Sequence, residues 1–141
     1  MSGTKEELVK SWLIKAKRDL LSSHELATAK ARLLDTAAYH CQQAAEKAVK
    51  GFLVFCDVRF EKSHDIVLLV TQAADIDPEF SNFLDAARLL TPLAIEYRYP
   101  GDYLEPELHE YQEASEAAHK LYSFVLNKLP ITTHPESDKE V

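Results

Sequence analysis

The chain has 141 residues, enough for one domain with a continuous core, and its three glycines are too few for a fold of many short strands and tight turns. Its net charge is −7, with 11 Lys and Arg against 8 Asp and Glu (+3) in residues 1–62 and 5 against 15 (−10) in residues 63–141. This acidic total disfavours indiscriminate nucleic-acid binding, although one basic face could still accept a phosphate.

Two long amphipathic helices are predicted first. Residues 5–28 repeat apolar side chains at helical spacing and carry charged residues on the other faces. Residues 32–56 repeat the pattern with many small side chains, which allow a neighbouring helix to approach closely. This second segment is therefore predicted to be the central helix. Its Cys41 and Cys56 are about 22 Å apart at ~1.5 Å per residue, too far for a disulfide, and both are expected to be buried thiols.

Two shorter helices are predicted next. A third helix follows Ser63, whose hydroxyl suits an N-cap position. A fourth begins at Asp77 and Pro78, because an acidic cap is followed there by a proline whose missing N–H costs nothing in the first turn. Pro92 is expected to kink or divide this fourth helix.

The rest of the chain is predicted to form a loop, a fifth helix and a tail. Pro100 and Gly101 favour a turn within a polar, aromatic loop, and residues 106–129 resume the helical pattern. The prediction is an all-α, up-and-down antiparallel bundle of four to five helices over residues 1–129, with a polar, disordered tail over 130–141. Because no membrane-spanning run or apolar secretory signal is evident, a cytoplasmic protein is expected.

A polar stripe on the second helix is the first candidate binding surface. Gln43, Lys47 and Lys50 occupy positions i, i+4 and i+7, so their polar ends could line a cleft. The lysines would then neutralise a phosphate, and Gln43 would orient a base or ribose. The alternative is a solvated face on which Glu46 and Lys50 pair at i, i+4.

Two further candidates follow along the chain. His64 and Asp65 begin the third helix, where backbone N–H groups attract an anion, although Asp65 could act there simply as a cap. Arg98 offers a planar guanidinium among three tyrosines that could stack on a base. The alternative for this loop is a structural ion pair between Arg98 and Asp102 that closes the turn.

The sequence gives little support for a metal site or for a catalytic nucleophile. Glu116 and His119 have the Glu-x-x-His spacing of di-iron bundles, but the other instance, Glu61 to His64, crosses a predicted turn. Cys41 lies on the apolar side of the second helix, and no glycine-rich nucleophile turn occurs. No metal is expected, and no cofactor other than a bound nucleotide.

Three separated strings and the opening helix resemble one known family. The strings are YHCQQAAEKAVK at residues 39–50, KSHDI at 62–66 and RYPGD at 98–102, and the opening helix contributes Trp12 and Asp19. In this order they resemble the HEPN family of nucleotide-binding helical domains, over roughly residues 11–129.

The resemblance implies a helical bundle that usually forms a homodimer. It also implies a small nucleotidyltransferase as partner, in a toxin–antitoxin or related complex. Many members are metal-independent ribonucleases whose site is an arginine followed a few residues later by a histidine. In this chain the first histidine after Arg98 is His109, eleven positions on, so the ribonuclease spacing is missing.

The sequence and the resemblance together predict a domain that binds a nucleotide or a nucleotidyltransferase, with catalysis left to the partner. The expected site residues are Gln43, Lys47, Lys50, His64, Arg98 and Asp102. One alternative is a divergent metal-independent ribonuclease acting on RNA, in which Arg98 stabilises the phosphate and His64 or His109 transfers protons. A second alternative is a module built only for protein association.

Overall fold

The computed structural model describes residues 4–96 and 105–138. Within these residues the secondary structure is entirely helical, which confirms the predicted all-α bundle of four to five helices. The five α-helices are α1 (Lys5–Thr28), α2 (Leu34–Phe55), α3 (Ile66–Ala74), α4 (Leu84–Leu90) and α5 (Leu108–Lys128). In the same part of the chain, every helix is too short or too polar to cross a lipid bilayer.

Helices α1 and α2 lie side by side and run in opposite directions. Trp12, early in α1, faces Gly51 near the end of α2. Further along α1, the hydroxyl of Ser23 donates a 2.9 Å hydrogen bond to the carbonyl of Ala37, near the start of α2. The two helices are therefore antiparallel, because a later residue of α1 contacts an earlier residue of α2. The predicted bounds of α1 are confirmed, and the hydroxyl of Thr4 caps its first turn.

The central position of α2 is confirmed, because it contacts α1, α3 and α5. Five of its alanines are almost completely buried and let these neighbours approach closely. They are Ala37, Ala38, Ala44, Ala45 and Ala48. Helix α5 runs antiparallel to α1, since Tyr111 lies beside Ser23 whereas Tyr122 lies beside Lys17.

Gly51 sets how closely α1 and α2 can approach. A Cβ placed on Gly51 would lie 3.3 Å from the Cβ of Trp12, which is tighter than an ordinary van der Waals contact. We expect Gly51→Leu to force the helices apart and to lower the free energy of unfolding by about 1–3 kcal/mol, as overpacking does elsewhere. Urea denaturation measures the change, with Ser123→Leu on the exposed side of α5 as a control. Equal stability of both variants would contradict the prediction.

The start of α3 differs from the prediction. Asp65, rather than Ser63, is the N-cap, because its carboxylate accepts the N–H of Leu68 at 3.2 Å. The hydroxyl of Ser63 instead accepts the N–H of Asp65 at 3.0 Å. The helix therefore begins two residues later than the Ser63 cap would place it.

The predicted fourth helix is divided into three pieces. Asp77 is the cap, as predicted, and its carboxylate accepts the N–H of Glu79 at 3.1 Å. The chain then forms a 3-10 helix over Pro78–Phe83, followed by α4 and a second 3-10 helix over Thr91–Ala94. Pro92 lies in that last piece, which agrees with the prediction that it would divide the helix.

Residues 130–138 pack against α1 and α5, which corrects the expectation of a disordered tail for this part of the chain. Thr133 is fully buried. The carboxylate of Asp138 accepts hydrogen bonds from Lys17, at 2.8 Å, and from the hydroxyl of Tyr122. Polar side chains hold the segment in place, and a composition-based prediction does not register such specific pairs.

Candidate functional site

A buried carboxylate on α2 organises a cluster of polar side chains. The Glu46 side chain is only 4% exposed, and its Oε2 accepts a 2.9 Å hydrogen bond from the ammonium of Lys50. Its Oε1 accepts a 3.1 Å hydrogen bond from Gln42 and lies 2.8 Å from Nδ1 of His64. Gln43 completes this Glu46 cluster by donating to Oε1 of Gln42 at 2.7 Å.

Lys50 lies inside the fold rather than on its surface. Its ammonium is 5.6 Å from the ring centres of both Trp12 and Phe60, which offer cation–π contacts in addition to the ion pair with Glu46. The residue is 7% exposed. The charge of Lys50 is therefore neutralised within the protein and is not presented to a ligand.

Lys47 is held by α1. Its ammonium lies 2.7 Å from Oδ2 of Asp19, whose Oδ1 is 2.8 Å from Nδ1 of His40. Asp19 itself is buried. Asp19, His40 and Lys47 form a second polar group between α1 and α2. Among the described residues, no hydrogen bond connects this group with the Glu46 cluster.

These contacts correct both interpretations of the polar stripe. Gln43 and Lys50 are each 7% exposed, so they do not line an open cleft. The face is not solvated either, although the predicted pair of Glu46 and Lys50 does form. The reason is that α1 covers one side of this stripe and the connection between α2 and α3 covers the other. Lys47 is half-buried and retains only limited access to solvent.

His64 is the predicted site residue that remains accessible. Its side chain is 65% exposed although Nδ1 contacts the buried carboxylate. A carboxylate ionised beside Lys50 can only accept, so Nδ1 carries the proton and Nε2 remains for a ligand. The backbone is fixed as well, because the carbonyl of His64 accepts a 2.9 Å hydrogen bond from Gln42. The capping role considered for Asp65 is confirmed.

The start of α3 is also tied to the segment that leads towards Arg98. The N–H of Ile66 donates a 3.1 Å hydrogen bond to the hydroxyl of Thr91. Arg98 and Asp102 themselves lie outside the described residues. On either side of them, Glu96 and Pro106 line one cavity of about 280 Å³ between α4 and α5. Glu96 and Pro106 therefore lie beside the same cavity.

The remaining candidates lie on the surface of α5. The ring of His109 is 66% exposed and lies 3.3 Å from the carboxylate of Glu107 at the helix start. Glu116 forms an exposed ion pair with Lys120 at 2.7 Å, one turn before the exposed His119. Within the described ranges, no group of three or more His, Cys, Asp or Glu is placed to hold a metal ion.

The two thiols differ in their surroundings. Cys41 is fully buried and lies 3.1 Å from the hydroxyl of Ser23, as expected for a packing residue. Burial raises the pKa of the Cys41 thiol to about 11, so the reactive thiolate is scarce at neutral pH. Cys56 is the C-cap of α2 and is half-buried, which corrects the prediction that it would be buried.

The pairing of Asp19 with His40 was not predicted from the sequence, and only Lys50 was predicted as a partner of Glu46. In the structure Asp19 and His40 pair across helices, and Glu46 also contacts His64. For Asp19 a signal was present, because a carboxylate between Ala16 and Ser23 on the core-facing side of an amphipathic helix requires a partner. The identity of that partner depends on how α1 aligns with α2, which periodicity does not specify.

The comparisons with known proteins agree with this fold. A family model described as HEPN domain matches residues 9–129. The crystal structure of ST0689, an archaeal HEPN homologue, is similar with a TM-score of 0.67 and 27% identity, covering 85% of this chain and 96% of that one. The crystal structure of TT1696 from Thermus thermophilus is similar with a TM-score of 0.69 and 28% identity, covering 86% and 98%.

Among curated proteins, no match to this chain was found. The family assignment therefore depends on the family model, which spans most of the chain, and it agrees with the two structural likenesses. The chain belongs to the HEPN family.

Proposed function

We propose that this chain is a nucleotide-binding, non-catalytic component of a two-protein, toxin–antitoxin-like system in the cytoplasm. In this proposal it forms a homodimer and works beside a small nucleotidyltransferase that performs the chemistry. Residues 1–129 form the binding domain. Family membership supports the class of function. The position of the proposed nucleotide site rests on one observation: the imidazole of His64 is exposed, and the buried carboxylate of Glu46 holds it in place.

The Glu46 contact suits His64 for binding a phosphate. When the ring is protonated, Nδ1 donates to the carboxylate and Nε2 can donate a charge-assisted hydrogen bond to a phosphate oxygen. The buried partner also fixes the ring direction, so little orientational freedom is lost on binding. The Arg98 guanidinium would supply the bidentate contact, and Asp102 would orient it.

Nucleotide titrations of the full chain test this assignment. We expect AMP or ATP to raise the melting temperature, because a ligand bound only by the folded state stabilises it. His64→Ala and Arg98→Ala should each weaken the measured Kd roughly tenfold, equivalent to about 1.4 kcal/mol. Arg59→Ala is the matched control, since it removes an exposed cation from the same connection as His64. Equal affinities of all three variants and the original chain would reject the site.

The partner proposal has a separate test. The chain is co-purified with a small nucleotidyltransferase from the same genome as the proposed partner, and the mass of each species is measured by analytical ultracentrifugation. We expect the isolated chain to have a measured mass of about twice 16.0 kDa, as a homodimer does, and to form a stable complex with the enzyme. A monomer that does not bind the enzyme would reject this part of the proposal while leaving nucleotide binding intact.

A ribonuclease is the second candidate, and the same histidine favours it. A buried carboxylate that orients a histidine is the arrangement found behind many general bases. Under this alternative, Arg98 stabilises the phosphate and His64 or exposed His109 transfers protons. Cleavage of mixed RNA in chelator, lost in both His64→Ala and Arg98→Ala, would replace the binding proposal by this one. RNA that stays intact under these conditions would reject the alternative.

A further inference from the structure

A second cleft lies on the outer edge of α1 and α2. Its volume is about 550 Å³, and it is an open groove rather than an enclosed cavity. The side chains around it come mostly from successive turns of α1. The lining residues are Arg18, Leu21, Ser22, Glu25 and Leu26 of α1 and His40 of α2. We call this surface the Arg18 cleft. None of its lining residues belongs to the Glu46 cluster.

His40 is held in a fixed orientation at the cleft. Its Nδ1 lies 2.8 Å from Oδ1 of Asp19, which is buried and whose other oxygen is bound to Lys47 at 2.7 Å. The ionised carboxylate can only accept, so Nδ1 carries the hydrogen. Nε2 is then the ring nitrogen that remains for a ligand. The ring of Tyr39 packs edge-on at 5.5 Å and further limits its rotation.

The charged groups of the cleft are not used elsewhere in the described part of the chain. Arg18 and Glu25 are both exposed, and no ion pair within residues 4–96 and 105–138 involves either of them. A guanidinium offers a planar pair of donors that matches two phosphate oxygens. Glu25 only accepts hydrogen bonds at neutral pH, so it would repel a bare phosphate and attract hydroxyl or amine donors.

We propose that the Arg18 cleft binds a phosphate ester of a small, hydroxylated molecule. The phosphate contacts Arg18, Nε2 of His40 and the hydroxyl of Ser22. Hydroxyl or amine groups of the same molecule donate to Glu25. Leu21, which is 55% exposed, and its half-buried neighbour Leu26 provide an apolar surface for the remainder of the ligand. This site is additional to the proposed one at His64 and does not depend on it.

Histidine NMR of the full chain tests the proposal. The imidazole signals of His40, assigned with the His40→Gln variant, are followed during titration with AMP, ribose 5-phosphate and inorganic phosphate. Arg18→Gln removes the guanidinium from an exposed position, so it should fold normally. Lys15→Gln is the matched control, because it removes an exposed cation of α1 that does not line the cleft. Thermal unfolding of each variant verifies the fold.

The expected result is a saturable shift of the His40 signal with either ester. The affinity should fall at least tenfold in Arg18→Gln and stay unchanged in Lys15→Gln. It should also stay unchanged in Arg98→Ala, which separates this site from the proposed function. Three results would overturn the inference: no His40 shift at millimolar ester, the same affinity in Arg18→Gln, or equal affinities for inorganic phosphate and the esters. The last would show that Glu25 and the leucines contribute nothing.

Discussion

Replacing Glu46 by alanine should lower the free energy of unfolding by about 3–5 kcal/mol. The substitution leaves the ammonium of Lys50 without its carboxylate in a position where the side chain is only 9% exposed, and an uncompensated buried charge has a cost of this size. Gln42 and His64 lose an acceptor at the same time. Urea denaturation followed by circular dichroism measures the change.

An exposed pair with the same helical spacing provides the control. Glu116 and Lys120 also lie at i, i+4, but their side chains are 65% and 68% exposed, so Glu116→Ala should leave the denaturation midpoint nearly unchanged. The double variant Glu46→Leu/Lys50→Met should regain most of the lost stability, because it removes both buried charges. If Glu46→Ala and Glu116→Ala unfolded at the same urea concentration, burial of the first pair would be refuted.

Phe80→Ala should also destabilise the bundle by about 3–5 kcal/mol, the usual range for removing a buried aromatic ring. Phe80 is fully buried, and its ring centre lies 4.5 Å from that of Phe52 on α2 and 4.8 Å from that of Phe124 on α5. It therefore joins the 3-10 helix before α4 to the two long helices. The cavity left by alanine removes contacts with both.

Thermal unfolding with Leu68→Ala as the comparison measures this effect. Leu68 is 46% exposed on α3, so shortening it removes an apolar side chain without opening a cavity in the core. We expect a large fall in the melting temperature for Phe80→Ala and a small one for Leu68→Ala. Similar shifts for the two variants would mean that Phe80 does not connect these helices.

The helices were predictable because each long one carries its own signal. The apolar spacing of α1 and the small residues of α2 do not depend on the rest of the fold, and Asp77 caps its helix through a local hydrogen bond. The start of α3 was misplaced because two local signals competed. Ser63 and Asp65 can both cap a helix, and only the backbone geometry decides in favour of Asp65.

The polar contacts were less predictable, because their partners are distant in sequence. Lys47 and Asp19 lie 28 positions apart, and His64 and Glu46 lie 18 apart. A helical-wheel view of α2 alone assigns such residues to solvent. The buried Lys50 illustrates this, since its neighbours Trp12 and Phe60 come from another helix and from a connection.

A nitrogen-15 spectrum of His64 tests the proposed site most directly, because the two ring nitrogens of this residue have different roles in it. We expect Nδ1 to carry the proton that it donates to Glu46 and to change little on addition of AMP, whereas the Nε2 signal moves as the nucleotide binds. The His64→Ala variant assigns the signals. An unprotonated Nδ1 in the chain without ligand, or an unmoved Nε2 signal at saturating nucleotide, would show that His64 does not bind the nucleotide in this way.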